Sequence, residues 1–408
     1  MTEDDRHRTG FTEYTRTAAA REQVLAATEP VSRTERMSLF EADERVVAGG
    51  IDANRAVPHY ERAAMDGFAV RAVETFEADE RAPVSFEIAE TVSPGTATRV
   101  HTGSELPEGA DAVVMVEDVA VSGDELVVSS AVPEGANVGP IGEDVEAGQK
   151  LFGDGHRLRP SDVGLLKAVG FDEVGVYERP RVSVLPTGEE LVQADPNPGE
   201  IIETNGQTVS QYVRRWGGEP TYRDIVTDDP ERLRAAIERD LDHDIVVTTG
   251  GSSVGERDLL PDVVDELGEV FVHGVALKPG HPVALGVVEE TPVLMLPGYP
   301  VACIVNAVQF LRPAIELAGH LPHRSPPTTE ARLTRKIPSE PGVRTFARVQ
   351  MADGGGSEGG TTATPTRAKG AGVLSSVALA DGWVVVPEER EGYAGGETVA
   401  VETWEWSR

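Results

Sequence analysis

The stretch from Asp244 to Asp258 (Asp-Ile-Val-Val-Thr-Thr-Gly-Gly-Ser-Ser-Val-Gly-Glu-Arg-Asp) has the residue types of an anion-binding loop with acids at its edge. The β-branched run Ile245–Thr249 predicts a buried strand, and the apolar spacing after Gly255 predicts a helix. Small residues at such a junction leave several backbone N–H groups pointing at one spot, which favours a phosphate. Glu256 and Asp258 would repel that phosphate unless a divalent cation lay between them. The stretch therefore predicts a phosphate pocket with a metal at its rim, and an ordinary βα turn is the alternative.

Three further loops offer groups for the same chemistry. Thr187, Gly188 and Glu190 end an earlier predicted strand. The sequence Lys-Pro-Gly-His-Pro at 278–282 supplies the cation that a phosphate site needs. The sequence Leu-Pro-Gly-Tyr-Pro at 296–300 gives a rigid approach that suits a flat ring or an anion. Each loop is a weak signal alone, but together they indicate one site at the carboxyl edge of a sheet.

The elements that position these loops alternate between strand and helix from residue 180 to about 320, which predicts an α/β fold with a parallel sheet. Thr204 and Asp229 are predicted to cap two of the helices, and Pro230 stands at the first position of the second. Strands are predicted at Val182–Leu185, Ile225–Val226, Ile245–Thr249, Val270–Val275, Val283–Val288 and Val293–Leu296, and a last helix at Val301–Ala318.

The flanking regions have a different texture. Residues 1–11 are predicted to be disordered, and short apolar runs between Gly and Pro turns predict a β domain from Val57 onward. A proline-rich linker precedes a second strand-rich region that begins at Ala331 and contains a mobile hairpin tip at 353–360. Helices are predicted at Thr12–Ala27, Leu39–Val47 and Ser161–Val169, the last with Ser161 as its N-cap.

The composition narrows the class of protein. The 408 residues suffice for two to four domains. Sixty-nine acids face 37 bases, for a formal charge of −32, and the acids are spread along the chain. Such a surface argues against nucleic acid and anionic membranes as partners, and it predicts a very salty cytoplasm, where the Debye length falls to roughly 3 Å. Lysine occurs only at 150, 167, 278, 336 and 369, so a lysine in a loop is a good candidate for a function.

The single cysteine, Cys303, excludes an internal disulfide and lies in an apolar run, which predicts a buried thiol in a reducing cytosol. No stretch approaches about 18 uninterrupted apolar residues, and the charged N-terminus lacks the features of a signal peptide. The sequence therefore predicts a soluble cytoplasmic protein.

Several motifs carry a resemblance to a known family. Thr-Gly-Glu-Glu-Leu from 187, Glu-Thr-Asn at 203–205, Asp-Asp-Pro at 228–230, the Asp244–Asp258 stretch and the two Pro-Gly loops resemble a molybdopterin-binding domain. Ala-Met-Asp-Gly-Phe-Ala at 64–69, Thr102-Gly103, the Gly-Ala-Asp-Ala-Val-Val-Met run at 109–115 and Gly-Glu-Asp at 142–144 extend the match. They are similar to the molybdopterin molybdenumtransferase (MoeA) family, to which the gephyrin E domain is related.

That resemblance implies a multidomain α/β plus β architecture. It implies an elongated helical domain (12–56 and 145–179), an inserted β domain (57–144), a MoaB-like α/β molybdopterin-binding domain (180–322) and a C-terminal β-barrel (329–408). It also implies a homodimer whose active cleft lies between the α/β domain of one protomer and the inserted β domain of the other.

The family's reaction places molybdenum from molybdate on the dithiolene of adenylylated molybdopterin and releases AMP with Mg²⁺. By matching positions, Glu190 and Asp258 would hold the Mg²⁺, and Asp66, Thr102 and Asp144 would face the cleft from the other protomer. The resemblance assigns catalytic roles to Asp66, Thr102, Asp144, Glu190, Asp228, Asp258 and Lys278. The predicted cofactor-binding residues are Thr187, Gly188, Gly250, Gly251, Ser252, Ser253, Gly255, Pro279, Gly280, His281, Pro297, Gly298, Tyr299 and Pro300.

Four departures from the family pattern keep alternatives open. His281 stands at the place of a second lysine, Tyr299 at that of an asparagine, Gly139 at that of an arginine and Ala371 at that of a serine. The alternatives are a tungstate-specific paralogue, a MoaB-like adenylyltransferase and a non-catalytic protein that binds or delivers the pterin. Plainer roles also stay open: Asp66-Gly67 as a turn, Asp144 as a solvated acid and Asp228 as a helix cap.

Overall fold

The computed structural model describes residues 14–250, 259–353, 360–366 and 372–406. These residues form two compact units, of which one spans 34–176 and the other combines 14–33 with 177–406. Helix α1 (Thr17–Ala26) belongs to the second unit. The predicted disordered segment 1–11 and most of the predicted hairpin tip (354–359) lie outside the described residues.

The 34–176 unit is built mainly from short strands. Its six-stranded sheet has the order β7-β4-β6-β5-β9-β8, in which only the β5–β6 pair is parallel. Phe68, Phe86 and Leu126 fill the apolar core of this sheet, which agrees with the β texture predicted for the region. The elements are β1 Thr34–Ser38, β2 Ile51–Asp52, β3 Arg62–Ala63, β4 Gly67–Val70, β5 Val84–Ile88, β6 Thr96–Val100, β7 Ala112–Met115, β8 Val119–Ser122, β9 Glu125–Val128, β10 Val138–Gly139, β11 Lys150–Phe152, α2 Pro160–Ala168 and β12 Glu173–Tyr177.

Two helix predictions in this unit are corrected. Leu39–Val47 is not a helix: only Leu39–Glu41 forms a 3-10 turn, and Glu44 has a φ of 65°, which a right-handed helix does not allow. The β-branched Val46 and Val47 instead form bridges to other segments of the unit. Helix α2 begins at Pro160, so Ser161 lies inside its first turn and the cap is formed by the Asp162 carboxylate, which accepts a hydrogen bond from the Arg159 N–H.

The other unit contains a six-stranded sheet of order β16-β13-β17-β21-β20-β18. Val246 packs against α4 and α5 on one face while Val247 packs against α3 and α6 on the other, because neighbouring strand residues point to opposite faces. The elements are β13 Arg181–Pro186, β14 Leu191–Val192, β15 Ile201–Ile202, α3 Asn205–Arg215, β16 Glu219–Tyr222, α4 Pro230–Arg239, β17 Ile245–Thr249, α5 Leu259–Leu267, β18 Glu269–His273, β19 Leu277–Lys278, β20 Ala284–Val288, β21 Thr291–Leu296, α6 Pro300–Asn306 and α7 Arg312–Ala318.

The sheet differs from the predicted parallel one at its far edge. Four strands are parallel, but β20 pairs antiparallel with both β21 and β18. The cause is local: only Glu289 and Glu290 separate β20 from β21, and Glu289 has a φ of 53°. A two-residue connection can join only antiparallel strands.

Two boundaries near the site also differ from prediction. Helix α1 begins at Thr17 and not at Thr12, because Thr15 forms a parallel bridge to Val275. The strand predicted at Ile225–Val226 lies earlier, at β16, although Val226 bridges Thr187. Asp229 caps α4 as predicted, since its side chain accepts from Arg232 N.

Thr204 occupies the N-cap position of α3, but its side chain forms no capping hydrogen bond. The Glu203 carboxylate caps the helix instead by accepting from Gly206 N at 2.6 Å.

The helical run Pro300–Ala318 widens into a π-helical turn at Ala307–Leu311. Pro313 has no N–H, so the Gln309 carbonyl four residues earlier loses its helical partner. Arg21 of α1 takes that place, with its Nε donating to Gln309 O at 3.0 Å and its Nη2 to Gln309 Oε1 at 2.5 Å. Among the described residues this run alone is long and apolar enough to cross a membrane, and 94% of it is buried inside the fold.

The C-terminal region is a closed barrel. Five strands pair in the cycle β24-β25-β22-β28-β26, and β24–β26 pairing closes it. Strand β19 of the α/β region adds to the edge of β24 in parallel. The predicted combination of an α/β domain and a C-terminal β-barrel is thus confirmed. The elements are β22 Thr328–Leu333, β23 Ile337–Pro338, β24 Arg344–Asp353, β25 Thr361–Pro365, α8 Ser375–Ala378, β26 Gly382–Val386, β27 Gly392–Tyr393 and β28 Thr398–Glu402.

Candidate functional site

A cavity of about 1530 Å³ lies between the carboxyl ends of the parallel strands and the C-terminal barrel. The ends of β13, β17 and β21 contribute to one wall, and the turn after β19 extends it. Twelve of the residues predicted from the sequence line this single cavity, although their loops are far apart in the chain. They are Thr187, Glu190, Asp228, Gly250, Lys278, Pro279, Gly280, His281, Pro297, Gly298, Tyr299 and Pro300.

The other predicted site residues fall into three groups. Gly188 adjoins the cavity between Thr187 and Glu190 but does not line it. Asp66, Thr102 and Asp144 belong to the 34–176 unit. Residues Gly251, Ser252, Ser253, Gly255 and Asp258 lie outside the described residues, as does Ala371.

The floor of the cavity holds two buried hydroxyl groups that belong to threonines. Thr187 and Thr249 are 2% and 1% exposed, and neither Oγ1 has a hydrogen-bond partner among the described residues. A buried hydroxyl without a partner is costly. The two groups are therefore available to a polar ligand in the cavity.

Gly250 lets two backbone segments meet beside these hydroxyls. A Cβ at this position would lie 2.1 Å from the Thr187 carbonyl oxygen, and its φ of +136° is one that side chains rarely adopt. The Gly250 N–H donates to Leu296 O at 3.0 Å, which joins the ends of β17 and β21. The glycine therefore brings the ends of three strands to one point.

Acidic groups gather on the α/β wall. Burial raises the pKa of Asp228 above its ordinary value, and the negative charges of Glu190 and Glu189 raise it further. Because carboxylates that repel one another are stabilised by a cation, Glu190 and Asp228 fit a divalent metal. Within the described part of the chain, however, no group of three or more candidate ligands forms a metal site. The predicted metal ligand Asp258 lies outside that part.

Lys278, the cation predicted for the site, already forms an ion pair. Lys278 Nζ lies 2.7 Å from Glu340 Oε2 of the barrel, and both side chains are exposed. His281 packs edge-on against the Tyr14 ring, with 5.6 Å between the ring centroids. Burial lowers the pKa of His281, and the positive charge of Lys278 lowers it further. His281 therefore stays neutral near pH 7 and adds no permanent charge.

Gly280 holds the turn between these two residues. Asn306 Nδ2, in α6, donates to the Gly280 carbonyl at 3.0 Å and to Ala302 O at 2.8 Å. A Cβ on Gly280 would lie 2.2 Å from that nitrogen. The close approach fixes the Lys-Pro-Gly-His-Pro turn against the helix that follows β21.

Family models match three consecutive parts of the chain. Residues 15–170 match the MoeA N-terminal region (domain I and II), 183–317 match a probable molybdopterin binding domain, and 330–404 match the MoeA C-terminal region (domain IV). The molybdopterin molybdenumtransferase of Bacillus subtilis is 32% identical over 402 residues, which cover 92% of each chain.

The chain belongs to the MoeA family.

Other relatives agree with this membership. A putative molybdopterin biosynthesis protein of Methanocaldococcus jannaschii is 35% identical, with 90% of this chain and 92% of that protein covered. The crystal structure of a MoeA protein from Pyrococcus horikoshii has a TM-score of 0.82 and 33% identity, with 97% of this chain and 100% of that one covered. The resemblance predicted from the motifs is thereby confirmed.

The MoeA C-terminal region supplies a cavity wall that the sequence analysis missed. Arg335, Lys336 and Arg348 of the barrel line the same cavity as the acidic loops. Burial lowers the pKa of Arg348. The scarcity of lysine was a usable signal, because Lys336 is one of five in the chain. Leu191, Ile201 and Ile202, from the two-stranded β14–β15 ribbon, add an apolar edge.

The MoeA N-terminal region brings two predicted residues together. Thr102 donates from its N–H and from its Oγ1 to Asp66 Oδ1, at 2.6 and 2.7 Å. These two hydrogen bonds lower the pKa of Asp66, with a smaller contribution from His101. Asp144 is exposed, and its N–H donates to Val57 O at 3.0 Å. Asp66 and Thr102 thus form one exposed, hydrogen-bonded pair.

Proposed function

We propose that this protein inserts molybdenum from molybdate into adenylylated molybdopterin and releases AMP, as a transferase of molybdenum cofactor biosynthesis. The transferase class and the pathway follow from membership in the MoeA family. The observation that best supports the use of this cavity is the gathering of twelve predicted residues at buried threonine hydroxyls that have no hydrogen-bond partner among the residues the structure describes. The cavity is large enough for a pterin nucleotide.

The residues of the cavity have separable roles in this proposal. Thr187 and Thr249 hold the diphosphate through their hydroxyl groups, together with backbone N–H groups of the predicted loop from Gly251 to Gly255, and Gly250 allows the close approach of their strands. Lys278 exchanges Glu340 for a phosphate oxygen when the substrate binds. Tyr299, which is 66% exposed at the cavity, offers an aromatic face to a flat ring.

Magnesium is part of the proposal. Glu190 and Asp258 are the proposed ligands, and Asp228 orients the site from the same wall; the shared repulsion of Glu190 and Asp228 supports this placement. When bound, the cation supplies neutralisation of the charge that develops on the diphosphate as it is cleaved. The carboxylates of Glu190 and Asp258 would hold the cation at the rim of the cavity, where its charge would be available to the substrate's phosphates.

We further propose that the protein is a cytoplasmic homodimer. In this homodimer, Asp66, Thr102 and Asp144 of one protomer face the cavity of the other protomer. Each protomer has the four domains, with the boundaries predicted from the sequence. The exposed Asp66–Thr102 pair supports this role, because its hydrogen bonds hold an ionised carboxylate in one orientation. Asp66 then orients a polar group of the substrate.

One assay tests the proposal. The protein is incubated in high salt with adenylylated molybdopterin, Mg²⁺ and either molybdate or tungstate, and AMP release is followed. Release that depends on molybdate supports the proposal, and release only with tungstate makes the protein a tungstate enzyme. ATP consumption with molybdopterin would make it an adenylyltransferase, and tight binding without turnover would make it a carrier.

Asp258→Asn tests the metal role within that assay. We expect it to abolish AMP release and to leave the dimer intact by size-exclusion chromatography. Asp262→Asn is the matched control, since Asp262 is an exposed acid in the first turn of α5. Unchanged turnover in Asp258→Asn would contradict the metal role.

A further inference from the structure

The charges that line the cavity are divided between its two walls. The acids Glu190, Glu203 and Asp228 all come from α/β loops. Three of the four Lys and Arg residues, namely Arg335, Lys336 and Arg348, come from the barrel. In a chain with a formal charge of −32 and only five lysines, two lysines line this one cavity. A ligand in the cavity is therefore exposed to an acidic wall, which can hold cations, and to a basic wall, which can hold anions.

The cations of the cavity differ in how far they are engaged. Lys278 is paired with Glu340, and Arg335 Nη2 donates to the Pro365 carbonyl. Lys336 is exposed, and its ammonium has no ion pair or hydrogen bond within the part of the chain that the structure describes. Lys336 is therefore the lysine of the cavity whose charge is available to a ligand.

The backbone that carries Lys336 is held in place. Leu333 and Ile337, on either side of it, are 2% and 3% exposed. Thr334 Oγ1 and Thr364 Oγ1 lie 2.9 Å apart, and Ile337 pairs with Tyr393 across β23 and β27. The barrel thus presents the ammonium from a fixed base, so that little backbone entropy is lost when an anion binds.

We propose that Lys336 is an anion-binding residue of the cavity, supported by the neighbouring Arg335, and that its ligand is a tetrahedral oxyanion. The two sources of such a group are the nucleotide phosphate and the molybdate substrate. Because His281 is neutral, the loop at 278–282 has Lys278 as its one permanent cation. Lys336 provides a second positive charge from the barrel. The inference rests on the proposed function for the identity of the anion, and on the charge distribution for the existence of the subsite.

Calorimetric binding with AMP, adenosine and molybdate as separate probes tests the proposal on the full-length protein in high salt. Lys336→Gln should weaken the binding of one anion about tenfold, the loss of one charge-assisted contact, and Lys336→Arg should restore it. If Lys336→Gln weakens the binding of AMP but not of adenosine, the ligand of Lys336 is the nucleotide phosphate. If it weakens the binding of molybdate, the ligand is molybdate. The matched control is Lys150→Gln, an exposed lysine of the 34–176 unit that carries the same change in net charge. Equal anion binding in Lys336→Gln and Lys150→Gln would overturn the proposal.

Lysine footprinting gives a second readout that does not need a variant. The protein is acylated with and without AMP or molybdate, and the five lysines are quantified by mass spectrometry. Protection of Lys336 with no protection of Lys150 supports the subsite, and equal labelling of Lys336 under all conditions contradicts it. Because neither measurement needs turnover, a protein that binds the anions but releases no AMP would refute the proposed function alone.

Discussion

Lys278 Nζ and Glu340 Oε2 lie 2.7 Å apart, so the turn after β19 is tied to the barrel by an exposed ion pair at the edge of the cavity. An exposed pair of this kind contributes about 0.2–1 kcal/mol. A substrate phosphate can therefore displace Glu340 at a small cost. We therefore expect the pair to affect the proposed binding of anions more than the stability of the fold.

Glu340→Gln should strengthen substrate binding. The variant removes the competing carboxylate, and we expect KM for the phosphate-bearing substrate to fall by about two- to fivefold, with kcat unchanged. The measurement is steady-state AMP release at several KCl concentrations, and the gain should shrink as salt screens the pair. Glu330→Gln, an exposed acid on β22, controls for the change in net charge. Equal KM values in the two variants would contradict this role for Glu340.

Asp228→Asn should reduce AMP release and raise the stability of the fold. Because the pKa of Asp228 is raised in the folded protein, the folded chain binds this proton more tightly than the unfolded chain does. The stabilising contribution is present below the ordinary pKa of 3.8 and is lost as pH rises through the raised value.

At pH 7 the asparagine removes a half-buried charge that Glu190 repels, so we expect a higher Tm and reduced AMP release. The Tm difference should shrink as the pH is lowered, which calorimetry in constant salt can follow. Glu238→Gln, at an exposed site of α4, should leave Tm nearly unchanged. A lower Tm for Asp228→Asn at pH 7 would refute the repulsion.

Gly250→Ala should damage both the fold and the site. The new Cβ would lie 2.1 Å from Thr187 O at a φ of +136°, so the ends of β13 and β17 must separate, at a cost of about 3 kcal/mol or more. Denaturant unfolding measures this loss. Gly123→Ala is the control, because Gly123 also has a positive φ but nothing within 4 Å of an added Cβ. Gly123→Ala should lower the free energy of unfolding by about 1 kcal/mol. A similarly small loss in Gly250→Ala would show that the strands need not meet closely.

Arg21→Met should destabilise the larger unit. The change removes both hydrogen bonds to Gln309 and leaves the carbonyl freed by Pro313 without its partner. We expect a loss of about 1–3 kcal/mol in the free energy of unfolding. Arg16→Met, just before α1 and exposed, carries the same charge change and should be nearly neutral. Similar losses in both variants would assign the effect to net charge.

Stability should rise with salt. At a formal charge of −32 the folded chain repels itself, and raising KCl from about 0.01 M to 1 M shortens the Debye length from roughly 30 Å to roughly 3 Å. We expect both Tm and AMP release to increase over this range. A neutral osmolyte at equal osmolality is the control, since it does not screen charge. A Tm that is independent of KCl would contradict an adaptation to high salt.

The local pattern of the sequence was enough for the elements that bury a regular apolar face. The β-branched run of β17 forms the strand Ile245–Thr249 with the predicted bounds, and α4 begins at Pro230 under the Asp229 cap. Thr187, Gly250 and Pro297 could be placed at one site because they follow β13, β17 and β21, and parallel strands end at one edge of their sheet. The predictions that failed, such as the helix at Leu39–Val47, concern short segments whose residues pair with partners far away in the chain.

Tertiary structure alone decided which groups compete for the same space and charge. Nothing in the order of residues indicates that Glu340 pairs with Lys278, that Arg21 satisfies the Gln309 carbonyl, or that Lys336 lines the same cavity as the acidic loops. The Lys278–Glu340 and Arg21–Gln309 contacts join positions 62 and 288 residues apart, and the first depends on how the barrel packs against β19. The residues thus specify their strands, helices and loop chemistry locally, whereas the balance of charge in the cavity exists only once the barrel and the sheet are packed together.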